Sequence, residues 1–276
     1  MRFLPLIVLI FGNVCVWIFA FPSHELRVSF LEIGQGDSIL IQSPTGVEML
    51  VDGGANTAVL RELGQHLPFF DRSIDAVVET HPDKDHIGGL SDVFDRYDIG
   101  TFIEPGIPND TGAALALERA VVAEEGVNRV LARRGMRLIL GGGAYADILF
   151  PDRDVSGVET NTGSIVMRVI YGNTSFLLTG DSPQAIEKYI SSIYGTALKS
   201  DVLKPGHHGS RTSSSEEFVR AVSPEYAVFS RGCDNSYGHP HEEIVRLFAK
   251  LRIVVFDTCK DGTVTFTSNG DVLSIR

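Results

Sequence analysis

Cysteine is scarce in this chain. There are three in 276 residues, Cys15, Cys233 and Cys259, and no Cys-x-x-Cys pair. That argues against a thiolate zinc site. Cys15 falls in an apolar N-terminal stretch, so Cys233 and Cys259 are left for the folded part, and the sequence leaves their pairing open. Positive charge is also short: 24 Lys and Arg stand against 35 Asp and Glu, a formal net charge of −11. Such a chain does not hold nucleic acid by general electrostatic attraction. It can still cut a phosphodiester where bound cations locally reverse the field. No linker divides the chain after residue 25, and no internal repeat stands out, so residues 25–276 read as one domain. With 43% hydrophobic and 21% charged residues the chain is globular, and it is long enough to bury its own core.

The one long hydrophobic run is at the start. Behind Arg2, Leu4 to Phe21 is uncharged for 18 residues, about the minimum for a membrane span. A signal peptide would end in small residues at its cleavage site, whereas Ile18 and Phe19 precede Ala20 here. Residues 1–22 are therefore expected to be an uncleaved hydrophobic helix that anchors the chain, with secretion after cleavage as the alternative. Arg2 places the N-terminus on the cytoplasmic side and everything after it outside.

From Glu25 the chain alternates apolar and polar residues. Leu26–Ile33, Ser38–Gln42 and Glu48–Asp52 read as a meander, with turns at Gly34-Gln35-Gly36-Asp37 and Pro44-Thr45-Gly46. Residues 57–66 read as a helix and 74–79 as a strand. The middle is more helical, chiefly over 111–125. Short strands follow at 146–150, 164–171 and 175–179, then a helix over 183–192 with Pro183 in its first turn. Further elements are expected at 202–204, from about 214, at 226–229, 241–250 and 253–256. A closing hairpin pairs 262–267 with 271–275. The pattern suggests two β-rich halves with helices outside. The stretch 150–163 is a long loop of the kind that borders sites.

Chemistry concentrates at strand ends. His81-Pro82-Asp83-Lys84-Asp85-His86-Ile87-Gly88-Gly89 packs two imidazoles and two carboxylates into six residues between a buried strand and the start of a helix. Four metal-competent groups at such a junction point to one metal or two adjacent metals. Asp181 follows the apolar strand Leu177-Leu178-Thr179. His207 and His208 follow Val202-Leu203-Lys204, and His239 and His241 lie in a turn before a helix. Polar groups at successive strand ends collect on one rim of a sheet.

These motifs resemble the metallo-β-lactamase superfamily. More narrowly, His81-x-Asp83-x-Asp85-His86-x-Gly88-Gly89, Thr179-Gly180-Asp181 and His207-His208-Gly209-Ser210 look like the extracytoplasmic domain of the ComEC/Rec2 DNA-uptake proteins. The stretches 30–38, Asp52-Gly53-Gly54, 237–240 and 261–264 match the same subgroup in order. The chain carries no multi-span segment like the channel of those proteins. The resemblance implies an αββα sandwich with a metal site on one rim. It also implies a binuclear hydrolase using two divalent ions, Zn²⁺ or Mn²⁺, with Asp83 where most relatives have a second His and Asn161 where many have another.

On that basis His81 and Asp83 are assigned to one ion, Asp85 and His86 to the other, and Asp181 between them. His207 is the first choice for a further ligand and His208 the second. A pair of ions lowers the pKa of a shared water, making hydroxide available to attack phosphorus or a carbonyl carbon. Asp85 and His239 are the catalytic candidates, His239 serving the leaving oxygen. His208, Asn161, Ser210 and Lys84 are further candidates for metal or substrate, although Lys84 also reads as a solvated side chain. His241 reads as a helix-start residue, and Ser213-x-x-Glu216 as a capping box. The expected substrate is single-stranded DNA or another phosphodiester. A small ester, phosphodiester or lactone is one alternative, and a non-catalytic scaffold of an uptake machine is another.

Overall fold

Short apolar runs punctuated by glycine and proline fold here into fifteen strands, in a computed structural model that describes residues 25–276. The expected N-terminal anchor, residues 1–22, lies outside the described residues. Among the described residues no helix is long and apolar enough to cross a membrane. The first half runs β1 (Leu26–Phe30), β2 (Ile39–Gln42), β3 (Glu48–Val51), α1 (Ala58–His66), β4 (Ser73–Val78), α2 (Lys84–Ile87), α3 (Leu90–Phe94), β5 (Asp98–Glu104), α4 (Gly112–Ala123) and β6 (Asn128–Leu131). Then come β7 (Arg137–Gly141), β8 (Ala144–Phe150), β9 (Val166–Tyr171), β10 (Thr174–Leu178), α5 (Gln184–Tyr194), β11 (Val202–Lys204), α6 (Glu216–Val222), β12 (Tyr226–Phe229), α7 (Glu242–Lys250), β13 (Val254–Asp257), α8 (Thr258–Asp261), β14 (Val264–Ser268) and β15 (Leu273–Ile275).

One sheet has the order β15-β14-β1-β2-β3-β4-β5-β6 and the other β13-β12-β11-β10-β9-β8-β7. The closing hairpin returns to the first sheet, where β14 pairs antiparallel with β1 and sets Phe266 opposite Val28. Burial divides the core into three layers. Between the sheets lie Phe30, Phe176 and Phe266, with ring centroids 6.0 and 5.9 Å apart in edge-to-face contact. Outside the first sheet, Leu50 and Val77 pack on Val59, Leu63, Leu90 and Leu117 of α1, α3 and α4. Outside the second, Leu177 and Leu203 pack on Ile190, Phe218 and Phe248 of α5, α6 and α7. The result is the mixed α/β two-sheet sandwich, helices outside, that the strand pattern implied.

This arrangement positions the site. Strands β3 to β6 run parallel, as do β10 to β13. Their carboxyl ends therefore carry the following loops to one rim. The loops are also tied across the sheets, for Ile165 N donates to Thr80 O at 2.9 Å.

Three readings need correction. The middle of the chain holds β5, β6 and β7 as well as helix. β6 and β7 are edge strands of their respective sheets with mostly exposed or half-exposed residues. Such strands need little apolar alternation, so periodicity misses them. The run after the histidine motif is two short helices, α2 and α3, rather than one. A Cβ on Gly89, between them, would lie 2.4 Å from both Asn56 O and Gly53 O, so the chain packs there at a distance only glycine allows. Finally, the cap of α6 is Ser215, whose Oγ accepts from Phe218 N. Ser213 is buried and donates to Ser182 O at 2.8 Å.

Candidate metal centre

The site is built on Asp181, which follows β10 and is almost fully buried. His86 comes from α2, and His207 and His208 from the turn after β11. Their Nε2 atoms lie 3.4, 3.7 and 3.5 Å from Asp181 Oδ2. His81, at the end of the β4 loop, groups with His86 and Asp181 closely enough to hold an ion, and Asp85, His86 and His208 form a second such group. His207 and His208 both have left-handed backbone, φ 51° and 54°. Non-glycine residues adopt that conformation at a cost, here where two consecutive imidazoles are turned toward one carboxylate.

In every one of these histidines Nδ1 is already engaged. His86 Nδ1 meets Asp52 Oδ2 at 2.8 Å and His208 Nδ1 meets Ser230 O at 2.8 Å. His81 Nδ1 meets Thr80 Oγ1 at 3.1 Å and His207 Nδ1 meets Thr212 Oγ1 at 3.2 Å. A partner on Nδ1 fixes the tautomer and leaves the Nε2 lone pair for a metal. The Nε2 atoms of His81 and His86 are buried with no hydrogen-bond partner. Orphaned acceptors facing a carboxylate are what a cation would satisfy. The donor set of imidazole nitrogens and carboxylate oxygens therefore fits the divalent ions that the sequence motif implies.

The charges agree. Burial disfavours an imidazolium at His81, and the neighbouring His86 adds to this, so His81 lies well below its ordinary pKa. His86 and His208 are just as buried, yet Asp181 and, respectively, Asp52 and Asp37 outweigh burial. His86 is held well above its ordinary value and His208 is pushed up to about 9. Burial would likewise raise Asp181, but His208 and His86 hold it well below the usual carboxylate range. The centre calls for positive charge, which a divalent ion supplies while displacing protons.

Comparison with known proteins decides the family. The profile of the Metallo-beta-lactamase superfamily matches residues 31–232, which takes in every element that carries these ligands. The chain belongs to the metallo-β-lactamase superfamily. Within it, the chain is 30% identical over 279 aligned residues to "ComE operon protein 3" of Bacillus subtilis, covering 92% of this chain and 35% of that protein. It is 33% identical over 248 residues to "Competence protein ComA" of Neisseria gonorrhoeae, covering 90% and 33%. The chain thus spans about a third of the length of these curated relatives. Among solved structures, the metallo-β-lactamase fold protein YhfI of Bacillus subtilis superposes with a TM-score of 0.54 at 14% identity, covering 84% of this chain and 95% of that one. That likeness concerns the fold alone.

Within this metallo-β-lactamase fold the remaining candidates fall in graded positions. His208 is buried, with Nε2 at 3.2 Å from Asp85 Oδ2, whereas His207 is partly exposed and joins none of the ion-sized groups among the described residues. Asp83 Oδ2 lies 3.7 Å from His81 Nε2 on the open side. Asn161 sits in a 3₁₀ turn of the long loop with its Oδ1 buried and unpartnered. The His239 ring is 5.3 Å from that of His207, and burial together with His207 pushes its pKa down to about 4. Ser210 is buried and accepts from Thr212 N at 3.3 Å, while Lys84 points to solvent. His241 starts α7, and its Nδ1 accepts from Arg211 N at 3.1 Å.

Three buried residues without an assigned role in the sequence reading complete the metallo-β-lactamase centre. Asp52, at the end of β3, is saturated by Thr80 N at 2.8 Å, Thr80 Oγ1 at 2.7 Å and His86 Nδ1. It orients an imidazole rather than offering a free oxygen. Asp37 pairs with Lys204, whose ammonium also reaches Gly180 O at 2.9 Å and Asp181 Oδ1 at 3.4 Å. Lys204 therefore occupies one oxygen of Asp181 and leaves Oδ2 to the histidines. A glycine makes the approach possible: at Gly36, φ +123°, a Cβ would fall 1.8 Å from Asp85 O. The Asp52 contact yields a prediction. Asp52→Asn should keep the fold but weaken metal binding by about 10–100-fold, measured by competition with a chromogenic chelator. Unchanged affinity would mean that Asp52 does not orient His86.

In the loop that carries His239, Cys233 forms a disulfide with Cys259 that ties the segment after β12 to α8. Beside it, the buried Arg231 grips Asp257 Oδ2 at 2.6 and 3.1 Å. In the same segment Gly232 N donates to Gln35 Oε1 at 3.1 Å, so the His239 loop is braced from three directions.

Proposed function

We propose that this protein is a metal-dependent phosphodiesterase that cleaves single-stranded DNA outside the cytoplasmic membrane, held there by residues 4–21. The observation that carries it is the convergence of His81, His86, His207 and His208 on Asp181, each Nδ1 engaged elsewhere. His81, Asp83 and Asp181 would hold one ion, and Asp85, His86, His208 and Asp181 a second. Such ions supply Lewis acidity and a nucleophilic water at neutral pH. The protein's own part is to hold these donors in place through Asp52, Ser230 and Thr80, and to set His239 on the rim where a leaving oxygen needs a proton.

DNA is favoured because one of these relatives is named a competence protein. An extracytoplasmic location is favoured by the disulfide, since such bonds persist in oxidising compartments. The net charge of −11 favours a second reading, hydrolysis of a small ester or phosphodiester. The test uses the full chain purified in detergent without chelator. Metal content is measured first, then cleavage of single-stranded DNA and of bis(p-nitrophenyl) phosphate with Mn²⁺ or Zn²⁺. About two ions per chain with DNA cleavage supports the proposal. Cleavage of the small diester alone supports the second reading. A folded protein that holds metal in neither case and cleaves nothing is a scaffold.

A further inference from the structure

The metal ligands follow the carboxyl ends of β4, β10 and β11, so the opposite ends of these strands form a second rim. The six residues of β4 set the two rims about 20 Å apart. At the second rim β1 begins at Leu26, β2 turns into β3 between Gln42 and Glu48, and residues 67–72 lead into β4 at Ser73. These four strands are neighbours in that order, so about 14 Å separates the start of β1 from the start of β4. In the loop before β4, Asp71 N donates to Pro68 O at 2.9 Å. That turn presents Phe69 and Phe70, which are 77% and 89% exposed, the two most exposed large hydrophobic side chains among the described residues. Their rings pack edge to face with centroids 5.1 Å apart, and the Arg72 guanidinium lies 5.8 Å from the Phe69 centroid. On the other side of β1, Ser268 pairs with Leu26, and the turn between β14 and β15 exposes Val272.

We propose that this second rim lies on a lipid bilayer, with Phe69 and Phe70 in its interfacial layer, so that the metal centre opens away from the membrane. The inference rests on the reading that residues 4–21 anchor the chain. The four residues from Phe21 to Glu25 reach no further than about 14 Å. An anchored chain therefore starts β1 beside the bilayer and brings the rim that carries the phenylalanines against it. Two adjacent exposed phenylalanines form an apolar projection that water disfavours, and interfacial segments bury such side chains about 5–10 Å into the headgroup boundary. Tethering raises the effective concentration of the contact, so a small apolar surface suffices to set the orientation. Arg72 carries its charge beside the pair, which suits the level of the lipid phosphates. A net charge of −11 gives no general attraction to anionic lipid, so the contact is apolar and a zwitterionic bilayer is the fitting probe. A second copy of this chain is disfavoured, because two side chains at a turn tip bury far less area than a stable dimer needs.

The test is tryptophan fluorescence of the full-length protein in phosphatidylcholine vesicles, with and without bromine on the acyl chains. Trp17 is the one tryptophan of the chain, so quenching of the wild type reports on the anchor alone. The double variant Trp17→Phe with Phe70→Trp reports on the second rim. Trp17→Phe with Tyr237→Trp reports on the metal rim, where the Tyr237 ring stacks on His239 at 5.6 Å. Circular dichroism confirms that each is folded. Brominated lipid is expected to remove about half of the emission at position 70 and to leave position 237 unchanged. Quenching of Trp17 without quenching at position 70, or equal quenching at positions 70 and 237, overturns the proposal and leaves the anchor standing. An unquenched Trp17 removes the anchor and the proposal with it.

Discussion

Asp181→Asn is expected to lower hydrolysis of bis(p-nitrophenyl) phosphate by about 10³-fold or more, a loss of about 4 kcal/mol of transition-state stabilisation, and to lower metal content with it. The substitution keeps the shape of the side chain and removes its charge. That charge is shared by His86, His207 and His208, whose Nε2 atoms lie within 3.7 Å of one carboxylate oxygen. An amide offers that focus one neutral oxygen, or a nitrogen that cannot ligate. The fold should survive, because Asp181 sits at a rim and all three apolar clusters lie away from it. Lys204 also keeps Asp37 as a partner. Circular dichroism and metal analysis on the same sample separate loss of the site from loss of the fold. Asp85→Asn is the companion variant, since Asp85 meets His208 at 3.2 Å from the opposite side. If both variants hydrolyse at the wild-type rate, the metal-centre reading of the reaction is wrong.

How much of this was legible beforehand depends on what each residue advertises alone. His81, Asp83, Asp85 and His86 crowd into six residues at a strand end, so spacing alone nominated them, whereas Asp181 and the His207-His208 pair, with His207 the first choice, were nominated by their place in a series of strand-end motifs. Asp37 read as a turn residue, Asp52 as the end of a strand and Lys204 as the last residue of a short apolar run. Each reading was locally sufficient. Pairing of β2 with β3 brings positions 37 and 52 together within the first sheet, and only the packing of the second sheet against it adds position 204, which no short-range pattern encodes. Lys204 did leave one trace: a lone cation closing the buried strand Val202-Leu203-Lys204 needs a buried counter-charge. What separates His208 from His207 is depth, since His208 is buried and reaches Asp85 Oδ2 at 3.2 Å while His207 is partly exposed, and spacing does not encode depth. The same division holds for the fold. Interior strands such as β10 and β12 announce themselves by the apolar runs Phe176-Leu177-Leu178 and Tyr226-Ala227-Val228-Phe229, whereas β6 and β7 at the sheet edges do not.

Removing the buried cation is the second large perturbation. Lys204 is fully buried, and burial alone would depress its pKa, yet Asp37 and Asp181 hold it above the ordinary lysine value. Asp37 shows the converse, with Lys204 and His208 outweighing a burial that would raise it. Lys204→Met keeps the aliphatic length and deletes the charge, so Asp37 is left buried against an apolar tip. Breaking a buried pair from one side typically costs about 3–5 kcal/mol, or about 10 °C in Tm for a chain of this size. The double variant Lys204→Met with Asp37→Asn should recover part of that loss, with a coupling of at least about 1 kcal/mol. Chelation adds a second axis. A divalent ion on Asp181 supplies some of the missing positive charge, so the Tm deficit of Lys204→Met should be larger in EDTA than with saturating Mn²⁺. A deficit under about 1 kcal/mol in both conditions would show that the ammonium is dispensable. A large deficit unchanged by metal would confine its role to Asp37. The expected pattern, a large deficit that metal relieves, places Lys204 as the residue that holds one oxygen of Asp181 and turns the other toward the histidines.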